Sequence, residues 1–227
     1  HEFNNMLTPI MSQSMLLLEQ LADREDSPEF EYALDVYESS ENAREMLRRM
    51  SAMGKQNLDM DFRPLEIRTL LRKVMNLSAM AKDPHIQQVL TMPDDPIYIS
   101  GNDQLLTQAF LNLCINACQA MHDEGILEVS LSETSVSGAP YAVVRISDTG
   151  PGISEEDLPY IFDPFYSTKG EKGTGLGLAI CKKIIETHKG IITAENLEKG
   201  GAVFIVQIPA AECRTATKEN DSAIMGR

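Results

Sequence analysis

Two asparagines stand out as residues whose type and spacing suit chemistry on a charged ligand. Asn112 and Asn116 are four residues apart, so both amides project from one face of a predicted helix. An amide oxygen can ligate a hard cation such as Mg²⁺ without adding negative charge beside a phosphate group. Taken alone, this spacing favours a simpler interpretation, namely two polar residues on an amphipathic helix.

A second motif, Asp148-Thr149-Gly150-Pro151-Gly152-Ile153, follows an apolar run that is typical of a strand. A carboxylate at the end of a strand can accept a hydrogen bond from the exocyclic amine of adenine, a donor that no phosphate carries. The two glycines let the backbone lie close to a base and adopt positive φ angles. In isolation, such a motif is often only a turn.

A third motif, Gly173-Thr174-Gly175-Leu176-Gly177-Leu178-Ala179-Ile180, leads into a predicted helix. Free N–H groups and the positive end of a helix favour phosphate. Residues 163–174 are rich in Gly, Lys and Asp and are predicted to form a mobile loop that closes over a nucleotide. Lys169 in this loop either reaches a phosphate or is a solvated loop charge.

The chain begins with His1-Glu2-Phe3-Asn4-Asn5-Met6-Leu7. A neutral imidazole is a good phosphoryl acceptor near pH 7, and the neighbouring carboxylate can hold its tautomer and take a proton. His1 lies away from the apolar stripe of its helix and is expected to face solvent. A lone exposed histidine is usually only a surface residue, so its assignment depends on the motifs that follow.

Taken in their order along the chain, these segments resemble the H, N, G1, F and G2 boxes of sensor histidine kinases, from His1 to about Pro209. The run Phe162-Asp163-Pro164-Phe165-Tyr166-Ser167-Thr168-Lys169, together with Asn4-Asn5, resembles the nitrogen-regulation-type or hybrid branch. The resemblance implies ATP and Mg²⁺ as cofactors, autophosphorylation of His1, and transfer to an aspartate of a response-regulator receiver domain.

The resemblance also implies a role for each matching residue. His1 and Glu2 are the acceptor pair, Asn116 is the principal Mg²⁺ ligand, and Asn112 assists it. Asn5, one helical turn beyond His1, is expected to remove phosphate from the regulator; alternatively, it only satisfies backbone left open by Pro9. The expected ATP-binding residues are Asn112, Asn116, Asp148, Gly150, Gly152, Ile153, Lys169, Thr174, Gly175, Leu176, Gly177 and Leu178.

Two helices must carry the first motif. Predicted helices at 1–22 and 28–55 have apolar stripes with alternating steps of four and three. A lone hairpin buries such a seam poorly, so we expect a homodimer in which two hairpins form a four-helix bundle. The stripe residues are Phe3, Leu7, Ile10, Ser14, Leu17 and Leu21, then Val36, Ser40, Ala43, Leu47, Met50 and Gly54.

The remaining motifs require a mixed fold. The predicted fold class is α+β: the helical hairpin, followed by an α/β sandwich that looks like the ATP-binding fold shared by gyrase B, Hsp90, histidine kinases and MutL (GHKL, or Bergerat). Residues 1–56 are assigned to the hairpin domain, 57–62 to a linker, 63–210 to the ATP-binding domain and 211–227 to a polar tail. Predicted helices are 65–81, 103–121 and 175–188; predicted strands are 85–91, 97–100, 126–131, 142–146, 191–195 and 202–208.

Composition limits the partners. The chain has 227 residues and a formal charge of −14, which argues against nucleic acid as a ligand. It lacks an apolar run of about 20 residues, so we expect a cytoplasmic fragment whose membrane attachment, if any, lies in sequence upstream of His1. The cysteines are interpreted as buried free thiols in a reducing compartment. His85, His122 and His188 are interpreted as surface or strand residues.

Two other functions fit part of the pattern. A GHKL-type ATPase would use the three nucleotide motifs without the His-Glu helix. A non-catalytic dimerisation scaffold would be expected to have eroded motifs, whereas Asn116, Asp148 and the glycines are all intact. Label on the protein rather than released phosphate would distinguish the kinase from the ATPase.

Overall fold

The structure, a computed structural model, divides the chain into two compact units. One contains His1–Asp59 and Ile161–Ile180, and the other contains Met60–Tyr160 and Cys181–Arg227. The predicted domain boundaries stay a prediction. The structure describes residues 2–54, 61–81, 85–122, 124–136, 138–168 and 174–211, with side chains described throughout these ranges except at 2–5, 42, 45–54, 80 and 81.

The first unit contains a helical hairpin. Helix α1 spans Glu2–Gln20 and continues through Pro9, a short 3₁₀ turn covers Ala22–Arg24, and helix α2 spans Pro28–Gly54. The sequence sets the start of α2. The Ser27 hydroxyl accepts a hydrogen bond from the backbone N–H of Phe30 at 3.2 Å, and a proline follows at the first helical position, where its missing N–H costs nothing.

The hairpin seam differs in part from the predicted stripe. Met11 and Ser14 of α1 are buried, as are Ala33 and Ser40 of α2. Both serine hydroxyls donate to the carbonyl four residues earlier in their own helix, which satisfies them in the seam. The prediction was therefore correct for these two serines.

Three apolar stripe residues are not covered within the single chain, as expected for a hairpin whose seam is completed by a second copy. Ile10, Leu17 and Val36 remain 43%, 49% and 47% exposed in the single chain. The apolar surface of α1 is broad enough to offer a second heptad pattern, in which Met11 replaces Ile10 in the seam. Periodicity alone does not select between two overlapping stripes, because both have steps of four and three.

The second unit begins with a strand that the sequence did not indicate. Strand β1 spans Arg63–Glu66 and pairs antiparallel with β3, Tyr98–Gly101. The predicted helix at 65–81 begins slightly later, as α3 at Ile67–Ala81. The Glu66 carboxylate accepts from the N–H of Thr69 at 3.1 Å and caps this helix, so the strand-to-helix change occurs at Glu66.

The main sheet has five strands in the order β2-β4-β5-β7-β6, in which β2 and β4 are parallel and all other neighbours are antiparallel. The hairpin of β4 and β5 extends further than predicted. The prediction was too short because the last residues of β4 are exposed and lack the apolar alternation that marks a strand. The strands are β2 Ile86–Thr91, β4 Gly125–Val136, β5 Ala139–Ser147, β6 Ile191–Asn196 and β7 Ala202–Pro209.

Helices cover this sheet. Helix α4, Asp103–Met121, packs on α3 and against β4 and β5, and its buried face includes Phe110 and Leu113. Helix α5 spans Gly177–Thr187. The result is the predicted sandwich of helices on a mixed sheet. Within the described residues, no helix is both long and apolar enough to cross a bilayer.

His188 directly follows α5 and is only 3% exposed, so its interpretation as a surface or strand residue was wrong. Its Nδ1 lies 2.7 Å from the carbonyl of Ile184, and its Nε2 accepts from the N–H of Asn102 at 3.0 Å. Asn102 is the N-cap of α4. The buried imidazole is thus a structural connection between the end of α5 and the start of α4.

Candidate functional site

Asp148 is a buried carboxylate in the second unit, immediately after β5. It is 4% exposed, and its Oδ1 accepts hydrogen bonds from the N–H groups of Gly150 at 2.9 Å and Ala202 at 3.3 Å. Burial raises the pKa of this carboxyl group, and the two backbone donors partly oppose the rise. Among the described residues, Oδ2 takes part in neither bond, which leaves one oxygen as an acceptor for a ligand.

The loop after Asp148 is held in a defined shape. Gly152 has a φ angle of +81°, and a Cβ there would lie 2.8 Å from Oδ1 of Asn196. The same Asn196 oxygen accepts from the N–H of Ile153 at 2.8 Å, and its Nδ2 donates to the Ile153 carbonyl at 2.5 Å. Gly150 approaches α4, since a Cβ on it would lie 3.2 Å from the carbonyl oxygen of Ala120.

A glycine in the turn between β6 and β7 completes this environment. Gly201 has a φ angle of +89°, and a Cβ there would overlap the carbonyl oxygen of Asp148. The turn contains the sequence Lys199-Gly200-Gly201, and paired glycines are typical of a turn between two strands. Its position next to Asp148 lies beyond what the sequence indicated, because β6 and β7 are more than 40 residues further along the chain.

Asn112 and Asn116 are both on α4 and both half-buried, as the spacing predicted. Nδ2 of Asn112 donates to Sγ of Cys181 at 3.3 Å. No hydrogen bond to the amide oxygen of Asn112, or to the side chain of Asn116, is present within the described residues. Two amide oxygens on one helix face, neither with a hydrogen-bond partner among the described residues, fit the oxygen preference of Mg²⁺.

The glycine motif lies in the first unit. Leu176 is buried, its carbonyl accepts from the N–H of Ile180 at 2.9 Å, and α5 then begins at Gly177. Gly175 has a φ angle of +63°, and its carbonyl accepts from the N–H of Phe165 at 2.9 Å. A side chain at Gly175 would collide with the Phe165 backbone, so this glycine is required by a close approach.

For some of the predicted site residues, the structure does not describe the side chain. His1 and Lys169 are outside the described residues, and the side chains of Glu2 and Asn5 are not described although both residues belong to α1. Thr174 and Leu178 lie on either side of the start of α5 and are half-buried.

Sequence reasoning missed three residues that shape this region. Asn196 fixes the backbone of Ile153, Gly201 approaches Asp148, and Cys181 contacts Asn112. Only Gly201 has a recognisable signal, a Gly-Gly pair between two predicted strands. An asparagine at the end of a strand and a cysteine within a helix have no local pattern that indicates such contacts.

Known proteins share these features. Residues 101–212 match the family described as histidine kinase-, DNA gyrase B-, and HSP90-like ATPase. Sporulation kinase C of Bacillus subtilis (strain 168) is 31% identical over 212 residues, which is 92% of this chain and 47% of that protein. Sensor histidine kinase TrcS of Mycobacterium tuberculosis is 32% identical over 233 residues, covering 96% of this chain and 43% of TrcS. The chain therefore spans less than half the length of these relatives.

Solved structures agree in fold. The catalytic domain of histidine kinase ThkA is 33% identical, with a TM-score of 0.59, and the match covers 66% of this chain and 96% of that domain. ShkA in complex with AMPPNP has a TM-score of 0.70 at 24% identity, covering 93% of this chain and 44% of ShkA. ThkA in complex with response regulator protein TrrA has a TM-score of 0.67 at 23% identity, covering 93% of this chain and 62% of that chain.

The two matches below 25% identity show a shared fold alone. The ThkA catalytic domain is matched almost over its full length at higher identity. With the family match at residues 101–212 and the kinase relatives that cover nearly all of this sequence, the chain belongs to the sensor histidine kinases and contains their GHKL-type ATPase core.

Proposed function

We propose that this chain is a protein-histidine kinase that autophosphorylates His1 with Mg·ATP and passes the phosphoryl group to an aspartate of a response-regulator receiver domain. The observation that carries the proposal is Asp148. Its carboxylate is buried at the end of β5 and tethered through Oδ1 only, so Oδ2 is available to a single donor. The exocyclic amine of adenine is such a donor.

Adenine recognition by Asp148 is favoured by burial. A carboxylate with few water contacts gains more from a ligand hydrogen bond, because water competes less for the acceptor. Gly150 and Gly152 keep the neighbouring backbone free of side chains, and the Asn196 bonds hold Ile153 in place. We assign Asp148, Gly150, Gly152 and Ile153 to the nucleotide site.

Asn116 and Asn112 are proposed to hold the metal. Bound there, Mg²⁺ would neutralise part of the charge on the ATP phosphates. The residues themselves supply neutral oxygen ligands on one side of α4, and they add no negative charge to repel the phosphates. Half-burial keeps both amides accessible to a ligand.

The phosphates are assigned to the start of α5. The first N–H groups of a helix have no intrahelical acceptor and favour an anion. This segment consists of Thr174, Gly175, Leu176, Gly177 and Leu178. Gly175 can lie close to the Phe165 backbone because it has no side chain. We also propose that Lys169 contacts a phosphate.

At the acceptor, an imidazole nitrogen of His1 attacks the γ-phosphorus in line with the leaving ADP oxygen. The bond from the γ-phosphorus to the β–γ bridging oxygen breaks, and ADP leaves with that electron pair. Glu2 holds the reactive tautomer and takes the proton from the other ring nitrogen. The proton that His1 loses is thus gained by Glu2, and the total charge is the same before and after the transfer.

Partners follow from the same reaction. The relatives are named as sensor and sporulation kinases, and ThkA has been solved with a response regulator, which supports a receiver domain as the phosphoryl acceptor. A homodimer is supported by the exposed apolar side chains of the hairpin, which in α1 include Met6, Ile10 and Leu17. Asn5 is proposed to align a water for removal of phosphate from the regulator.

Labelling with γ-labelled ATP tests the proposal. The wild-type protein should acquire an acid-labile, base-stable phosphate, because a phosphoramidate hydrolyses in acid, and His1→Gln should remove the label. Asn116→Asp should abolish labelling by placing a charge beside the phosphates. Asn5→Ala should label normally but slow the loss of label from a phosphorylated receiver.

The controls separate the alternatives. Because the terminal position of His1 can slow labelling, the same variants are measured in a version extended before His1. Phosphate release without label on the wild-type protein would favour a GHKL-type ATPase. Full labelling of the extended His1→Gln variant would refute His1 as the acceptor.

A further inference from the structure

The amide of Asn112 contacts a buried thiol on another helix. Nδ2 of Asn112, on α4, lies 3.3 Å from Sγ of Cys181, on α5, and both residues belong to the second unit. Cys181 is fully buried. Its Sγ also lies 3.4 Å from the carbonyl oxygen of Ala109, one turn before Asn112 on α4. The thiol therefore has two polar partners on the helix that carries the predicted metal ligands.

Counting protons fixes the direction of both bonds. A thiol has one proton, and the carbonyl of Ala109 can only accept, so the S–H group donates to that carbonyl. The sulfur then has only its lone pairs to offer Asn112, which must present its NH₂ group. The two ends of an amide are nearly equal in shape, and it is this hydrogen-bond pattern that distinguishes them.

The orientation of the Asn112 amide follows from these two contacts. With the NH₂ group of Asn112 held at the sulfur, the amide oxygen, bonded to the same carbon, is directed away from Cys181. Within the described residues, that oxygen has no other hydrogen-bond partner.

The other cysteines do not share this arrangement. Cys114 and Cys118 are also buried free thiols on α4, and no group of residues in the described part of the chain is suited to hold a metal ion through thiols. The three thiols are thus not a metal centre. Cys181 differs from Cys114 in one respect that matters here, namely its hydrogen bond with the Asn112 amide.

We infer that Cys181 is a positioning residue that fixes the orientation of the Asn112 amide, so that its oxygen and not its NH₂ group is presented to the cation of Mg·ATP. The inference rests on the proposed function of Asn112. Without the sulfur, the amide is free to rotate, and the NH₂ orientation would place a donor against a cation. Nucleotide binding that does not involve the cation should be unaffected.

Calorimetric titration with a non-hydrolysable ATP analogue, with and without Mg²⁺, tests this. We expect Cys181→Ala to reduce the affinity gain due to Mg²⁺ by about three- to tenfold, the effect of one neutral hydrogen bond that orients a ligand. Cys181→Ser supplies a hydroxyl that can donate and accept in the same way, and should retain most of the gain. Cys114→Ala is the matched control, because it removes an equally buried thiol from α4.

A double-mutant cycle identifies the pathway of the effect. In an Asn112→Ala background, Cys181→Ala should have no further influence on the Mg²⁺-dependent gain, since the amide that it orients is absent. An equal loss in both backgrounds would overturn the inference, as would a loss in Cys114→Ala as large as that in Cys181→Ala. Wild-type binding without any Mg²⁺ dependence would instead overturn the proposed metal site, and the inference with it.

A readout without nucleotide or metal completes the test. The Nδ2 protons of Asn112, observed by NMR of ¹⁵N-labelled protein, should exchange slowly with solvent in the wild-type protein and in Cys181→Ser. In Cys181→Ala they should exchange markedly faster, because their acceptor is lost. Unchanged exchange in Cys181→Ala would show that the sulfur does not hold the amide.

Discussion

At the scale of single residues, Asp148 combines a functional group with a cost in stability. Burial raises the pKa of its carboxyl group, so the folded protein favours the protonated form more than the unfolded protein does. The contribution to stability is complete at low pH and is lost as the pH rises through the folded-state pKa. Above that pKa, the ionised carboxylate therefore destabilises the protein without ligand.

Asp148→Asn should separate these two effects. The amide oxygen can keep both backbone hydrogen bonds, while NH₂ replaces Oδ2 and faces the adenine amine as a second donor. We expect affinity for ATP analogues to fall roughly 10- to 100-fold, the effect of an unpaired buried group. The preference for adenine over guanine nucleotides should shrink as well, as measured by calorimetry.

The melting temperature of Asp148→Asn without nucleotide should equal or exceed that of the wild-type protein at neutral pH, because the penalised charge is gone. Wild-type adenine preference in this variant would contradict the assignment. A lower melting temperature at neutral pH would contradict the argument from burial.

His188 gives a pH dependence of opposite sign. Burial lowers the pKa of its imidazole from the ordinary value of 6.5, although the bond to the Ile184 carbonyl partly opposes this. The unfolded chain therefore takes up a proton first as the pH falls, so stability is complete above about pH 6.5 and declines below it. Protonated Nε2 can no longer accept from the N–H of Asn102.

His188→Gln should reduce this dependence, since an amide does not titrate. Between about pH 7.5 and pH 5.5, the melting temperature of the wild-type protein should fall more than that of His188→Gln. His85→Gln is the control, because it makes the same replacement at an exposed histidine. Equal slopes in all three proteins would exclude His188 as the group responsible.

At the scale of elements, the turn between β6 and β7 controls the position of Asp148. Gly200 and Gly201 have φ angles of +91° and +89°, so alanine is strained at both. Their surroundings differ. A Cβ at Gly200 has no neighbour closer than 4.0 Å, whereas a Cβ at Gly201 would overlap the Asp148 carbonyl oxygen.

Gly201→Ala should therefore be more harmful than Gly200→Ala. We expect Gly200→Ala to lower the free energy of unfolding by about 1 kcal/mol and Gly201→Ala by about 3 kcal/mol, as measured by urea denaturation. Only Gly201→Ala should also weaken adenine-nucleotide binding, because it displaces the strand end that carries the carboxylate. Equal effects of the two variants would show that the close approach is unimportant.

At the scale of the whole molecule, the hairpin has two apolar faces with different uses. Met11 is buried within a single chain, whereas Leu17 and Ile10 are about half exposed. We expect the exposed face to be covered by a second copy, because an isolated helical hairpin leaves much of its apolar surface in water. Leu47, another residue of the predicted stripe, lies among the residues whose side chains are not described.

Leu17→Glu and Met11→Glu should fail in different ways. Leu17→Glu should preserve the helical content of the chain but dissociate the dimer, at a cost of several kcal/mol of association, on the order of an unpaired buried charge. Met11→Glu should disrupt the hairpin itself. Light scattering and circular dichroism distinguish the two, and a Leu17→Glu variant that remains dimeric at micromolar concentration would contradict the proposed interface.

The sequence by itself determined the family, the element types and the order of the motifs. These depend on local patterns: four-residue spacing for Asn112 and Asn116, apolar runs for the sheet, and glycines before α5. The missed strand β1 is four residues long and contains Pro64, so it lacked the length and alternation that mark a strand.

Only the tertiary structure decided which residues meet. It selected Met11 instead of Ile10 for the hairpin seam, buried His188, and brought Asn196, Gly201 and Cys181 to the motif residues. The physical reason is that these choices depend on contacts between segments far apart along the chain. Periodicity reports how a side chain is directed from its own helix or strand, whereas burial and hydrogen bonding depend on what lies opposite.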